Sequence, residues 1–588
     1  MTNIDPIHGS RQVRFWKLEL QLDTKDSVQL LENQQEAPLR YAAPVLSLAL
    51  LVASVPASAW QRDEDSTRRW RDDIAWFRQE LPRRHINPFH DLSGAEFERL
   101  TTDLDARVSS LRDHEIIVGL TRIVARLGPR DGHSRVNLFN PALKFHRLPV
   151  NVYAYSDGLF VRAVSNDYVD LLGTRVISIG GKPVDDVVQR VKTITPADNP
   201  MSKTSWSAEL MTIPEVLHAL GIGSGEPAGP VTFEVQEPDG TRRKIEVKAL
   251  QSLDGVVWQD IRSTARASPM YRRWASIDPF NRHGAQKNFW FEYLAERKLL
   301  YVNYSAVVDM SDETVAAFFD RVFAFADKNP VEKFVLDIRN NSGGNNYLNR
   351  PIFYGLIKRA ETVARSGAFF AVIGRETFSA AQNLANLLDE HTDAILVGEP
   401  TGGSPNHYGD SLRMELPNSK VSVGLSSVWW QDLDPRDFRL WIAPHIAAEL
   451  TSGDDRTGRD PALEAIVNYA PEVALIDTVR EALTKGGKAE AARALASWRS
   501  DPRHKFLNGE SELNRLGARL FREKKPDDAV VIFELNASTN PDSWLAQNSL
   551  GRTYAAVGRK EEAAAAYQRA LRIRPNAPQT LSVLDQLK

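Results

Sequence analysis

The chain has 588 residues and a formal net charge of -3, which gives it no electrostatic reason to bind nucleic acid. Hydrophobic residues make up 42% and charged residues 25%, as is typical of folded globular protein rather than of a disordered or membrane-embedded chain. There is no cysteine, which excludes disulfides, thiolate nucleophiles and cysteine-ligated metals. Any covalent catalysis must use Ser, Thr, Lys or a carboxylate, and at roughly 150 residues per domain the length allows about three or four domains.

The only strongly apolar stretch runs from Tyr41 to Ala59 and ends in the small residues Ala57-Ser58-Ala59. This pattern predicts a secretory presequence, residues 1–59, and a protein exported to the periplasm or beyond. Its apolar core is shorter than the ~20 residues that a transmembrane helix needs, so we expect cleavage rather than a stable membrane anchor. A long polar stretch precedes it, so either translation starts downstream of Met1 or the presequence is unusually long. A buried helix is the alternative.

The remaining chain changes pattern several times. A charged helical pattern predicts an N-terminal helical subdomain over residues 60–140, and short alternating segments between Gly, Pro and Asp turns predict a small β-rich domain over residues 145–250. Residues 290–475 alternate strands with helices, which is typical of a βα-layered domain whose chemistry lies where strands end. The predicted strands there cover 299–305, 333–338, 368–373 and 394–397, and the predicted helices cover about 312–326 and the residues after Ser379. The fold class is therefore α/β, with a helical domain at the C-terminus.

That C-terminal domain, residues 478–588, contains an internal repeat. Leu516-Gly517 lies 34 positions before Leu550-Gly551, and Ala529 lies 34 positions before Ala563. This period and the small residues at those positions resemble tetratricopeptide repeats, which are helix-turn-helix units. An Ala-rich stretch from Val479 to Trp498 is predicted to stack on them as a degenerate third unit. We expect the repeats to bind a protein partner or substrate, or to mediate self-association.

Within the β-rich domain, the segment from Leu172 to Val187 contains Ile179-Gly180-Gly181 and resembles the second half of a PDZ domain. PDZ domains bind an extended peptide by adding it to a sheet edge. A structural β module without a ligand is the alternative.

Short motifs in and before the βα-layered domain suggest chemistry. Asp337-Ile338-Arg339-Asn340-Asn341-Ser342-Gly343-Gly344 follows an apolar strand, Phe378-Ser379-Ala380-Ala381-Gln382 opens a helix, and Asp131-Gly132-His133-Ser134 lies in a loop. Taken singly, they are typical of a strand-end turn, a helix N-cap and a surface loop. Their combination is more specific.

Together with Gly398-Glu399-Pro400-Thr401-Gly402-Gly403, Ile442-Ala443-Pro444-His445 and Gly458 to Glu464, these motifs resemble the tail-specific (C-terminal processing) protease superfamily over residues 60–470. The resemblance implies a crotonase-like core, with a PDZ-like insert, that hydrolyses peptide bonds through an acyl-enzyme without metal or cofactor. Ser379 would be the nucleophile, and the N–H groups of Gly343, Gly344 and Ala380 would bind the oxyanion.

The family uses either a Ser-Lys dyad or a Ser-His-acid set. The lysine position of the dyad holds Ser404 here, whereas His133 occupies the position of the base in the tricorn-core branch. The acid is expected before Ile442, with Asp437 first and Asp434 second, although a solvated acidic loop is the alternative. With His133 as base, kcat/KM is expected to rise with pH near 6.5.

Two other functions remain open at this point. The fold could serve a non-catalytic protein that binds a peptide or hydrophobic ligand, or the repeats could carry the main function with the rest as scaffold. The complete set of motifs argues against both. No predicted site residue follows Asp477, so the repeats are expected to be dispensable for cleaving a small peptide.

Overall fold

A computed structural model describes residues 62–223, 225–264, 268–271, 288–435 and 437–587. The predicted presequence and its cleavage point lie outside these residues. In the part of the chain that the structure describes, no helix is both long and apolar enough to cross a bilayer. The described residues belong to one compact unit.

The N-terminal helices pack through their apolar faces and carry the histidine motif at their end. Asp63 and Ser93 cap the first two helices by accepting backbone N–H groups of Ser66 and Glu96. The elements are α1 (Glu64–Arg84), α2 (Gly94–Arg107), α3 (Asp113–Val124) and the short strand β1 (Arg135–Val136). His133 lies in the loop between α3 and β1.

The β-rich domain is an antiparallel sheet in the order β2-β3-β4-β6-β7, with β5 on β4 and β8 on β3. Its strands are β2 (Val150–Tyr155), β3 (Gly158–Ser165), β4 (Arg175–Ile179), β5 (Lys182–Pro183), β6 (Val231–Gln236), β7 (Arg242–Val247) and β8 (Trp258–Asp260). Its helices are α4 (Val184–Lys192), α5 (Pro200–Leu210) and α6 (Pro214–Ala219).

The central sheet has the order β16-β13-β12-β11-β10-β9 and is parallel except for β9. Its strands are β9 (Phe289–Leu294), β10 (Leu299–Tyr304), β11 (Lys333–Asp337), β12 (Phe369–Ile373), β13 (Ile395–Gly398) and β16 (Ile446–Ala447). The helices of this layer are α7 (Val315–Ala326), α8 (Arg350–Ile357), α9 (Ala380–His391), α10 (Ser452–Thr457) and α11 (Pro461–Val467). The predicted strands and helices of this domain are confirmed to within a few residues, and so is the α/β class.

Two long strands, β14 (Asn406–Glu415) and β15 (Ser422–Gln431), form a hairpin that follows β13 in the chain. Strand β1 pairs with β15, with Val136 opposite Val423. This pairing brings the loop that ends in β1 to the central domain.

Two buried arginines join the β-rich domain to the central domain. The guanidinium of Arg375 contacts Glu399 through two hydrogen bonds and also donates to the carbonyl of Ala154 on β2. Arg162 on β3 forms a 3.0 Å ion pair with Asp455, which has no exposed side-chain surface. These charges lie away from water, so each pair must stay together for the interface to be stable.

The C-terminal domain consists of helices stacked in pairs. They are α12 (Leu475–Ser500), α13 (Glu510–Arg522), α14 (Pro526–Thr539), α15 (Trp544–Ala556), α16 (Lys560–Ile573) and α17 (Pro578–Leu587). A Cβ on Gly517 would lie 2.6 Å from the ring of Phe533, and one on Gly551 would lie 2.8 Å from the ring of Tyr567. The small residues of the repeat therefore do allow close helix packing. Helix α12 covers the predicted third unit and shares its core with α13 and α14.

Candidate active site

The structure brings His133 and Ser379 together, although 246 positions separate them in the chain: His133 Nε2 lies 2.9 Å from Ser379 Oγ. Ser379 lies between the fully buried strand β12 and the N-terminus of α9. His133 reaches it from the loop between α3 and β1. The hydroxyl therefore has a nitrogen base within hydrogen-bond distance, as nucleophilic catalysis requires.

Ser379 does not act as an ordinary helix cap. Its side chain makes no capping hydrogen bond, and its backbone has φ 54° and ψ -126°. A positive φ is strained for a residue with a Cβ and costs about 1–3 kcal/mol. The strain is consistent with a tight strand-to-helix turn that presents Oγ to His133, close to the positive end of α9.

The loop after β11 lies against this turn. The point that a Cβ on Gly343 would occupy is 2.6 Å from Ser379 Cβ and 2.9 Å from the backbone nitrogen of Ala380. Gly343 and Gly344 have φ of 102° and 143°. Only glycine therefore allows the loop to approach this closely to Ser379 and to Ala380, whose N–H belongs to the first helical residue and lacks an intrahelical partner.

The Gly343 N–H already has a partner, because it donates to Asn341 Oδ1 at 2.9 Å. Gly344 pairs with Val307 in a parallel bridge whose bonds use the Gly343 carbonyl and the Asn345 N–H. The Gly344 N–H is outside that bridge. Of the three predicted donors, the Gly344 and Ala380 N–H groups therefore stay available among the described residues, while Gly343 allows the close approach of the two loops.

The His133 ring is held mainly by its neighbours on both sides. It stacks on Phe378, with ring centroids 4.6 Å apart, and on His407, with centroids 5.7 Å apart. Burial, followed by the charges of His407 and Arg135, lowers the pKa of His133 to about 3, although the charge of Asp131 opposes this. The imidazole is therefore neutral, as a base must be.

No acid orients the other ring nitrogen. Within the described residues, His133 Nδ1 is buried without a hydrogen-bond partner. Both carboxylate oxygens of Asp437 accept hydrogen bonds from Arg439, which also binds Asp389. The structure does not bring Asp437 to His133, so its role as third catalytic residue stays a prediction without a supporting contact. The backbone carbonyl of Asp434 accepts from Asn406.

Asp131 anchors the loop that carries His133, and the sequence analysis assigned it no role. Its carboxylate accepts a hydrogen bond from Ser426 Oγ at 2.6 Å and lies 2.9 Å from His85 Nε2. Burial disfavours the charge, but hydrogen bonds from His85 and Ser426, with His90 Nε2 3.7 Å away, outweigh it and keep the pKa of Asp131 below its usual value. Asn341, also missed, donates to the Tyr304 carbonyl and so fixes the glycine loop. Both lie inside the recognised motifs, which is the only signal that could have found them.

The repeats contact the site through Phe438. The rings of Phe438 and Trp544 are perpendicular, with centroids 6.1 Å apart, and the Arg574 guanidinium lies 4.3 Å from the Phe438 centroid. Arg130, in the same loop as His133, lies 5.8 Å from that centroid. The loop that carries His133, residues 125–134, is called the base loop below. The Phe438 ring thus joins the base loop to helix α15 and to the residues after α16.

The family model for the tetratricopeptide repeat matches residues 544–577. Those residues are a tetratricopeptide repeat. No curated protein is similar enough in sequence to match the chain.

Solved structures extend the comparison. Mature CPAF complexed with lactacystin is 12% identical with a TM-score of 0.46, over 68% of this chain and 99% of that chain. The photosystem II D1 C-terminal processing protease is 12% identical with a TM-score of 0.36, over 67% and 99%. The first TPR domain of the human RPAP3 protein is 22% identical with a TM-score of 0.14, over 19% and 86%. The chain is thus similar to a C-terminal processing protease in structure as well as in motif, but TM-scores this low carry no argument about its chemistry.

Replacing Gly343 with alanine is expected to abolish turnover of a peptide substrate, because the new methyl group would overlap Ser379 Cβ and the backbone nitrogen of Ala380. Removing one oxyanion donor costs about 10²- to 10³-fold in rate, and we expect at least that loss in kcat. The matched control is Gly240→Ala, which has a similar φ of 90° and no atom within 4 Å of the added Cβ. Both variants should lose some stability. Equal activity in the two would contradict the proposed geometry.

The Phe438 contact changes the expectation for the repeats. Phe438→Ala should lower kcat/KM on a short peptide about 3- to 10-fold, because a cation–π contact of about 1 kcal/mol to the base loop is lost. Phe521→Ala is the control, since that ring lies in α13 and is equally exposed, at 38% against 37% for Phe438. Truncation after Asp477 removes Trp544 and Arg574 but keeps Phe438 and Arg130. If the folded truncated protein cleaves the short peptide at the full rate, the contact between Phe438 and the repeats is not needed.

Proposed function

We propose that the chain is a serine peptidase that hydrolyses peptide bonds through an acyl-enzyme, with Ser379 as nucleophile and His133 as base. The observation that carries the proposal is the 2.9 Å contact between His133 Nε2 and the Oγ of a strained, non-capping serine. The close approach of Gly343 to the Ser379 turn and the N–H of Ala380 at the start of α9 support it, because a backbone N–H beside the nucleophile can donate to the carbonyl oxygen of a substrate.

The chemistry follows from these positions. As Ser379 Oγ attacks the carbonyl carbon, its proton passes to His133 Nε2 and the carbonyl oxygen becomes an oxyanion at the Gly344 and Ala380 N–H groups. The tetrahedral intermediate then collapses, the C–N bond breaks, and the leaving amine takes the proton from His133. A water molecule attacks the ester with His133 again as base, which releases the acid and restores the Ser379 hydroxyl.

Ser379→Ala, His133→Ala and the double variant should each lose about 10⁴-fold or more in kcat/KM on a fluorogenic peptide library, because nucleophile and base act as one unit. The double variant should be scarcely worse than either single variant. His391→Ala is the control, since this exposed histidine lies at the other end of α9. Mass spectrometry of a trapped acyl adduct should place it on Ser379. Near-wild-type turnover by His133→Ala would exclude this base.

We further propose that the protein is exported, with residues 1–59 removed. The support is the apolar segment that ends at Ala57-Ser58-Ala59. N-terminal sequencing of the protein recovered outside the cytoplasm is expected to begin at Trp60. An intact Tyr41 to Ala59 segment on folded cytoplasmic protein would contradict export.

The other domains are proposed to supply substrate. The PDZ-like resemblance of the β-rich domain supports binding of an extended peptide, and the tetratricopeptide repeat at residues 544–577 supports recruitment of a protein. Peptides and proteins are therefore the proposed substrate class.

A further inference from the structure

The mechanism above makes no use of Asp198, which is fully buried, at 0% exposure, in the connection between α4 and α5. Its Oδ1 accepts the N–H of Gly132, the neighbour of His133, at 2.7 Å. Its Oδ2 accepts the N–H of Ser404 at 3.0 Å. One carboxylate thus connects the base loop to the loop that follows β13.

The residues beside Asp198 strengthen this connection. The carbonyl of Asp198 accepts the N–H of Arg130 at 2.9 Å. The Asn199 side chain donates to the carbonyls of Thr401, Gly403 and Leu440. The α4–α5 connection of the β-rich domain therefore fixes both loops at the backbone.

We propose that ionised Asp198 is a positioning residue that holds Gly132 so that the His133 ring stays within reach of Ser379, a role that rests on the proposed function. An ionised carboxylate accepts at both oxygens, whereas a protonated one carries a donor on one of them. Protonation removes the negative charge and turns one of the two oxygens into a hydroxyl, so the hydrogen bonds from Gly132 and Ser404 lose their charge assistance. One of the two buried carboxylate anchors of the loop that carries His133 is then weakened.

The position has a consequence for pH dependence. Burial raises the pKa of Asp198 to about 6, although the His407 charge and the N–H groups of Gly132 and Ser404 oppose the rise. The charged and titratable groups that face it are Arg130 and Asp131 from the base loop and His407 from β14. The Asp198 carboxyl is ionised above that pH and protonated below it, where it holds Gly132 and Ser404 less firmly. Turnover should therefore fall as the pH drops through about 6, although His133 itself remains neutral there.

The test is the pH profile of kcat in wild type, Asp198→Asn and Asp73→Asn. The asparagine imitates the protonated acid, so Asp198→Asn should show kcat about 10- to 100-fold lower at pH 8, little change in KM, and no acid limb near pH 6, since a misplacement of about 1 Å can cost ~10²-fold. Asp73 is the matched control, because it too is fully buried and accepts two backbone N–H groups, those of Asn418 and Ser419. Asp73→Asn should keep the wild-type profile. An acid limb near pH 6 that survives in Asp198→Asn would overturn the proposal.

A second measurement does not depend on turnover. Hydrogen exchange followed by mass spectrometry, with rates divided by the intrinsic amide exchange rate at each pH, should show lower protection of the peptides that contain Gly132 and Ser404 in Asp198→Asn at pH 8, and in wild type below pH 6. Unchanged exchange in both would overturn the positioning role. If wild type shows this exchange but no Ser379-dependent cleavage, the peptidase proposal fails while the anchor stands.

Discussion

The arrangement of the site depends on how one short loop is held between two buried carboxylates. Asp131 ties the loop to His85 and Ser426, and Asp198 ties Gly132 to Ser404. A buried charge is tolerated only when hydrogen bonds replace its hydration, and here the bonds that satisfy each carboxylate are also the bonds that fix the loop. His133 lies between these anchors, and within the described residues no side chain accepts a hydrogen bond from its Nδ1. Its position is thus set by the backbone and by stacking rather than by an acid on the ring.

The other half of the site is built by the central sheet. Strands β11 and β12 are parallel neighbours, so the glycine loop and the Ser379 turn emerge at the same edge. Close approach of the two loops excludes any side chain at Gly343, and it forces Ser379 into a backbone conformation that an isolated serine would avoid. The buried strands on either side supply the packing that maintains this strain.

The sequence predicted the parts that are local in the chain. Strand and helix bounds followed from periodicity. The pairing of Ser379 with His133 followed from a combination of motifs that resembles one protease superfamily. What it could not predict depends on contacts between distant segments. The acid was sought in the loop before Ile442, but Asp437 binds Arg439, two residues away, a pair that the sequence itself could have suggested. The pKa of His133 was placed near 6.5 because nothing in its neighbours along the chain reveals how far the ring is withdrawn from water. Asp198 had only the pattern of a helix start, Asn199-Pro200, and its partners lie in other domains.

The buried arginines between the β-rich and central domains have one more consequence. Arg375, which binds the Ala154 carbonyl, and Arg162, which pairs with Asp455, are shielded from solvent, so ionic strength screens their interactions far less than it screens surface pairs. The β-rich domain is thus mounted on the catalytic domain at a constant separation. A peptide whose end docked on that domain would present to Ser379 only the bond at the matching distance along its backbone. The position of the cleaved bond would then be set by its distance from the bound end of the peptide, rather than by recognition of the side chains beside it.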